Sequence, residues 1–329
     1  MNHRRQFMFT LGTALASNAA LLRAQTPTGP VRRVGVVTIA TPAEGKRPLI
    51  AFFDEMSRLG WIEGRNIVYD WAAADGQPEL LDPRTVELVT RQPDAIFAAV
   101  LPSALAARRA TATIPIVFGS VNHPVEAGLV NSITRPGGNA TGITPNWDPL
   151  APKRIQLLRE IMPKVKRVGY FRDASSTDDL EFGALAPVAL ALGITISPVK
   201  FTEQADLDAA MAALVAARVE AIHAVSPSSA IYYMRGRLVE LANRARVPVI
   251  TSLTPIAEAG ALFSYGGAFD ARFRRSAQLI DKILRGARPA DIPVEQSTEI
   301  EFIVNAKAAR LLGITIPPAI LLRADRVIE

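Results

Sequence analysis

The chain has 329 residues, about two ordinary domains, of which 49% are hydrophobic, 6% aromatic and 21% charged. A mixed-sign, aliphatic chain of this kind is not a disordered one, and the lack of any cysteine excludes disulfides, thiolate metal sites, cysteine nucleophiles and a lipidated cysteine. The formal charge of +6 drops to +3 without residues 1–24, which hold three arginines and no acid, so nothing electrostatic argues for nucleic acid.

Residues 1–24 are expected to be an export signal. Arg4-Arg5 is followed by Phe7 and an apolar stretch to Leu22, diluted by Thr10, Gly12, Thr13, Ser17 and Asn18. The stretch is too short and too polar for a membrane span of about 20 residues. The paired arginine resembles a twin-arginine translocation signal, with the general secretory route as the alternative, and cleavage is expected after Ala24. The mature protein is therefore expected to be periplasmic, soluble and without a lipid anchor.

From there the chain alternates short β-branched runs with amphipathic stretches, the pattern of doubly wound parallel sheets. Arg33–Thr38 is a strand by composition. Leu49, Phe52, Phe53, Met56 and Leu59 share one helix face, with Gly60 as the stop. Strands follow at 66–71, 95–100, 115–119 and 140–143. Ile155, Leu158 and Ile161 then mark a helix, and a second series of strands is predicted at 167–171, 195–199, 221–225, 248–251 and 261–265. Phe273, Ala277, Ile280 and Leu284 form a further helical stripe, 291–304 is extended, and Asn305 caps a last helix ending at Gly313.

The two series match in detail. Asp94-Ala-Ile-Phe-Ala-Ala-Val-Leu-Pro-Ser103 parallels Glu220-Ala-Ile-His-Ala-Val-Ser-Pro-Ser228, and Ile114-Pro-Ile-Val117 parallels Val247-Pro-Val-Ile250. Each half then carries Glu-Ala-Gly, at 126–128 and 258–260. The order of these matches predicts two α/β lobes of one architecture, joined by a hinge, with a ligand cleft between the carboxyl ends of the two sets of strands.

Catalytic signatures are absent. Gly45-Lys46 lacks the spacing of a phosphate loop, and there is no Gly-x-Ser-x-Gly or His-Glu-x-x-His run. No catalytic residue, metal ligand or cofactor is expected, and the chain is not expected to be an enzyme. Asp178-Asp179 reads as a solvated helix start, His223 as a core residue, and His123 as either a cleft or a surface loop residue. The arginines at 108–109 and at 272, 274 and 275 read as solvated helix faces. Strand ends supply the ligand-binding candidates: Thr38, Pro102, Ser103, Ser120 and Asn122 on the first lobe, and Asp173, Ser226, Ser228, Ser252 and Tyr265 on the second. Each Pro-Ser pair sets a hydroxyl at a strand-to-helix junction, where free N–H groups favour a carboxylate; a plain N-cap is the competing reading. Asp173 would meet a ligand ammonium, or else serve as a turn residue.

Several stretches resemble the ABC transporter substrate-binding family that includes tryptophan- and phenylalanine-binding proteins of the type I periplasmic fold. They are Leu59-Gly-Trp-Ile-Glu-Gly-Arg-Asn66, Thr113-Ile-Pro-Ile-Val-Phe118, Arg135-Pro-Gly-Gly-Asn-Ala-Thr-Gly142, Ser264-Tyr-Gly266 and Ala309-Arg-Leu-Leu-Gly-Ile-Thr-Ile-Pro-Pro318. The resemblance implies a monomer that passes a small molecule to an ABC permease, and three chain crossings between the lobes. It assigns 31–144 and 267–290 to lobe 1, and 146–266 and 291–329 to lobe 2. It also marks two departures in ligand loops, His123 before Pro124 and Arg172-Asp173 after Phe171. A binding protein that docks on a signalling receptor would read the same. A lactose-repressor-type regulator would need a DNA-binding helix pair ahead of the first strand, and an exported enzyme would need a nucleophile–base pair.

Overall fold

The computed structural model describes residues 30–46, 48–145, 148–173, 179–201, 206–224 and 230–329. In chain order the first lobe comprises β1 (Arg32–Thr38), α1 (Pro42–Lys46), α2 (Ile50–Arg58), β2 (Ile67–Ala73), α3 (Leu81–Thr90), β3 (Ala95–Val100), α4 (Leu101–Ala110), β4 (Ile116–Ser120) and β5 (Ala140–Thr144). The second comprises α5 (Ala151–Ile161), β6 (Arg167–Asp173), α6 (Asp179–Ala191), β7 (Thr195–Phe201), α7 (Asp206–Ala216), β8 (Ala221–Ala224), α8 (Ala230–Arg244), β9 (Val249–Thr251), α9 (Thr254–Ala259) and β10 (Phe263–Gly267). The chain then returns through α10 (Phe269–Leu284) and β11 (Glu295–Gln296), and finishes with β12 (Ile300–Asn305), α11 (Ala306–Leu312), α12 (Pro318–Leu321) and β13 (Arg326–Ile328).

The first sheet runs β11-β5-β4-β3-β1-β2 and is parallel throughout; the second runs β13-β12-β10-β9-β8-β6-β7. Both contain the same winding, β2-β1-β3-β4-β5 and β7-β6-β8-β9-β10. The order reverses beside the first strand of each half, so each lobe has its switch point there. Strand alternation explains the layers. Val34, Val36 and Phe97 pack under α2 and α10 on one face, while Val37, Ile96 and Ala98 pack under α3 and α4 on the other. In the second lobe Ile222 and Ala224 join α7 and α8, and Ala221 joins α5 and α6 on the opposite face.

The sequence repeat is a repeat of hydrogen bonds. The Asp94 carboxylate accepts from the Arg33 N–H at 2.8 Å, and its own N–H donates to the Arg33 carbonyl. Glu220 does the same with Arg167, at 2.9 Å. In both lobes an acid before the third strand clamps the start of the first. Two residues on, Gly35 and Gly169 let Leu88 and Leu214 close on the sheet: a Cβ at either would stand 2.6 or 2.8 Å from the leucine methyl.

Three features depart from the expectations. The segment 291–296, expected in lobe 2, ends in β11 on β5 of the first sheet, so the last crossing falls at 297–299. The second sheet is not purely parallel: β12 enters straight from that crossing and pairs antiparallel to β10, and β13 follows β12. Arg272, expected on a solvated face, is 1% exposed, because its place in α10 falls on the stripe of Ser276 and Ile280 that faces the first sheet. Arg274 is exposed, and Arg275 grips Glu295.

Candidate functional site

The carboxyl edge of the first sheet is lined by neutral polar groups. Thr38 ends β1, Pro102 and Ser103 are the second and third residues of α4, Ser120 ends β4, and Asn122 lies two residues beyond. Val100 and Ser120 are in register across β3 and β4, so the α4 start, which flanks the switch point between β1 and β3, and the loop after β4 are neighbours. All but Pro102 are buried. Thr38 Oγ1 accepts from the Ala40 N–H at 3.2 Å and so turns the chain sharply off the strand.

Ser103 is not the plain cap that was the competing reading. The N-cap of α4 is Val100, in an extended conformation, whose side chain makes no capping hydrogen bond. The Ser103 hydroxyl is fully buried and makes no hydrogen bond among the described residues. A buried hydroxyl without a partner is uncommon, and here it stands in the first turn of a helix whose N-cap residue, Val100, offers no side-chain acceptor. His123, next to this loop, adopts φ +52°, and its carbonyl accepts from Ala127 at 2.9 Å. It belongs to the strand-end loop and is half-buried.

The second sheet contributes a matching edge. Thr251 Oγ1 accepts from the Leu253 N–H at 3.2 Å, repeating the Thr38 turn. Ser252 is buried, with a hydroxyl that has no partner among the described residues. Gly266 approaches it so closely that a Cβ would stand 2.2 Å from the Ser252 carbonyl. The half-buried Tyr265 ring packs edge-on to Phe302 at 5.9 Å. Asp173 ends β6, beside the second switch point; its side chain, together with Ser226 and Ser228, lies outside the described residues.

Behind this edge lies a buried ionic tie that sequence reasoning missed. Arg154 of α5, wholly buried, donates from Nε to His223 Nε2 at 2.9 Å, from Nη1 to the Tyr265 carbonyl at 3.1 Å, and from Nη2 to the Glu181 carboxylate. His223, foreseen as a core residue, stacks on Tyr170 with ring centres 5.3 Å apart. Burial, and then the adjacent Arg154 charge, push its pKa well below 6.5, so the ring is neutral and its Nε2 can accept the hydrogen bond that Arg154 Nε donates. The partners are 27 and 69 residues from Arg154 in sequence, and no local pattern joins them.

A groove of about 730 Å³ separates α2 and α10 of the first lobe from α8 and α9 of the second. Its walls carry both signs of charge, including Glu55, Arg58, Arg235 and Glu258. The Arg58 hydrogen bond holds the buried Glu55 carboxyl down at about 2 against the opposing effect of burial. Tyr232 and Phe269 stack across the groove, with ring centres 5.8 Å apart and planes nearly parallel, and Phe269 packs on the cores of both lobes.

Residues 49–328 match the family of ABC transporter substrate binding proteins. The chain belongs to that family. Its members bind solutes and are not enzymes. A tyrosine-binding protein of Clostridioides difficile is 26% identical over 298 residues, covering 90% of this chain and 85% of the relative. Among solved structures, a conserved domain protein from Vibrio cholerae aligns with a TM-score of 0.82 and 28% identity, over 90% of this chain and 99% of that one. An ABC domain from Streptococcus pneumonia in complex with L-Trp aligns at 0.81 with 23% identity, over 91% and 100%. The fold is that of the type I-like periplasmic binding proteins, as expected. No helix among the described residues is long and apolar enough to cross a membrane.

Proposed function

We propose that this substrate-binding protein captures an α-amino acid between its lobes and presents it to the permease of an ABC importer. The observation that carries the amino-acid assignment is Ser103: a buried hydroxyl without a partner among the described residues, in the first turn of α4, whose N-cap Val100 makes no side-chain cap, beside the switch point. A ligand carboxylate would accept from that hydroxyl and from the α4 N–H groups, with Thr38, Ser120 and Asn122 closing the polar floor. Supporting the reading, one relative is named for tyrosine and one structural neighbour holds L-Trp.

On this reading Asp173, Ser226, Ser228, Ser252 and Tyr265 form the opposing wall, and Asp173 receives the ligand ammonium. The lobes, 31–144 with α10 and β11 against 146–266 with the segment from β12 onward, close about the three crossings. Residues 1–24 direct export and are removed, so the mature protein starts at Gln25 and works as a periplasmic monomer. Mass spectrometry of a periplasmic extract would find that start, and an intact Met1 form confined to the cytosol would refute export.

The direct test is a thermal-shift screen of the twenty L-amino acids. A ligand at 100 times its dissociation constant stabilises the folded state by about 2.7 kcal/mol. A rise in melting temperature limited to a few amino acids supports the reading, and a flat response to all twenty rejects it.

A further inference from the structure

The second crossing between the lobes, from β10 into α10, is handled in an unusual way. The antiparallel ladder with β12 uses the even-numbered residues of this strand: Asn305 donates to the Leu262 carbonyl, and Ala268 donates to the Glu299 carbonyl at 2.8 Å. The carbonyls of Tyr265 and Gly267 therefore face the other edge. There β9 has already ended, pairing with β10 only at Phe263 and Ser264. Two carbonyls, that of Gly267 buried and that of Tyr265 partly so, are left without a strand partner on this edge, and each is better off with a donor.

An arginine from each lobe supplies one. Arg154, on α5 of the second lobe, donates to the Tyr265 carbonyl at 3.1 Å. Arg272, on α10 of the first lobe, donates to the Gly267 carbonyl at 2.8 Å. Arg154 and Arg272 are the two largest fully buried side chains among the described residues. Each is fixed to its own lobe, Arg154 through Glu181 and His223, Arg272 through its position on the buried stripe and over the Phe269 ring at 5.5 Å. Between the two gripped carbonyls the rotatable backbone is that of Gly266 and Gly267. A Cβ at Gly266 would stand 2.2 Å from the Ser252 carbonyl, which the backbone cannot accommodate, and one at Gly267 would stand 2.8 Å from Arg272 Nη1 and displace that guanidinium. The third crossing runs alongside, with Ser297 donating to the Thr144 carbonyl at 2.9 Å.

We propose that Arg154 and Arg272 are positioning residues of the binding cycle: they bracket the pivot of this crossing at Gly266–Gly267 and so set the range of lobe angles open to the ligand-free protein. The inference rests on a two-lobed binding protein but not on the identity of its ligand. A narrow range of angles keeps the binding-competent arrangement well populated, and loosening either anchor dilutes it and weakens apparent affinity in proportion.

The absence of cysteine makes the test direct. Val86→Cys on α3 and Leu190→Cys on α6, both exposed and on opposite lobes, take spin labels for electron–electron distance measurement on ligand-free protein. Arg272→Met and Arg154→Gln are each expected to broaden the inter-label distance distribution with helix content unchanged. Arg272→Lys, which keeps a donor, should return it towards the parent width. Gly267→Ala, which pushes the guanidinium off its carbonyl, should broaden it as Arg272→Met does and add nothing in the double variant. Parent-width distributions in folded Arg272→Met and Arg154→Gln, or full additivity of Gly267→Ala with Arg272→Met, would overturn the proposal. Because no ligand is added, a wrong amino-acid assignment leaves this result untouched, and thermal-shift failure leaves it standing.

Discussion

The neutral, buried His223 makes stability depend on pH in a way that one substitution isolates. In the unfolded chain a histidine takes up its proton near pH 6.5; in the fold, burial and the Arg154 charge hold the pKa well below that value. A depressed folded pKa means that the contribution is complete above 6.5 and is lost as the pH falls below it, because only the unfolded chain then gains a proton. The slope is about 1.4 kcal/mol per pH unit, which amounts to roughly 2 kcal/mol between pH 7 and pH 5. His223→Gln removes the titrating ring and keeps an oxygen that can accept from Arg154. Urea unfolding of both proteins at pH 7 and pH 5 gives the comparison, and the other ionisable groups are common to both. The variant starts less stable, having lost the stack on Tyr170, but wild type should lose about 2 kcal/mol more than the variant over this interval. Parallel losses would refute a neutral His223 in the fold.

Ser103→Ala should weaken amino-acid binding by about 1 kcal/mol, near fivefold, and leave the ligand-free melting temperature unchanged, since the hydroxyl it removes has no partner among the described residues; calorimetry and melting curves read the two effects. Glu55, whose carboxyl is held at about 2, stabilises the fold above its ordinary value of 4.5 and loses that contribution as the pH falls from 4.5 to 2. Melting temperatures of Glu55→Gln should therefore fall less steeply than wild type across that window. Gly142→Ala would place a Cβ 2.1 Å from the Phe118 carbonyl and force β5 off β4, so thermal unfolding should show a loss of about 1–3 kcal/mol or more. Phe52→Ala empties a position stacked on Phe97 at 4.1 Å and should cost about 3–5 kcal/mol in a urea titration.

The two-lobed winding was legible because both halves repeat the same local chemistry. An acid before the third strand, a Pro-Ser after it and a proline before the fourth strand recur as short local signals, although the Asp94 and Glu220 clamps they mark reach back 61 and 53 residues to the first strand. Lobe-1 candidates named from strand ends stand on one sheet edge for the same reason. What escaped the sequence is non-local or too short. Two- and three-residue strands such as β11 and β13 carry no periodicity, so the boundary after residue 290 was misplaced; the extended run at 291–304 was legible, but the antiparallel pairing of β12 with β10 was not. Arg272 sits four residues before Ser276 and eight before Ile280, on the buried stripe itself, but its charge argued for solvent until the carbonyl it serves was known. The Arg154 tie is assembled from four elements, none adjacent in sequence.

Isothermal titration calorimetry of the protein without residues 1–24, with L-tyrosine, L-tryptophan and L-phenylalanine at two temperatures, tests the central claim most directly. Saturable one-to-one binding of at least one of them, with a negative heat-capacity change from apolar surface closed between the lobes, is the predicted result. Folded protein that takes up none of the three, and shows no stabilisation by any other amino acid, would contradict it.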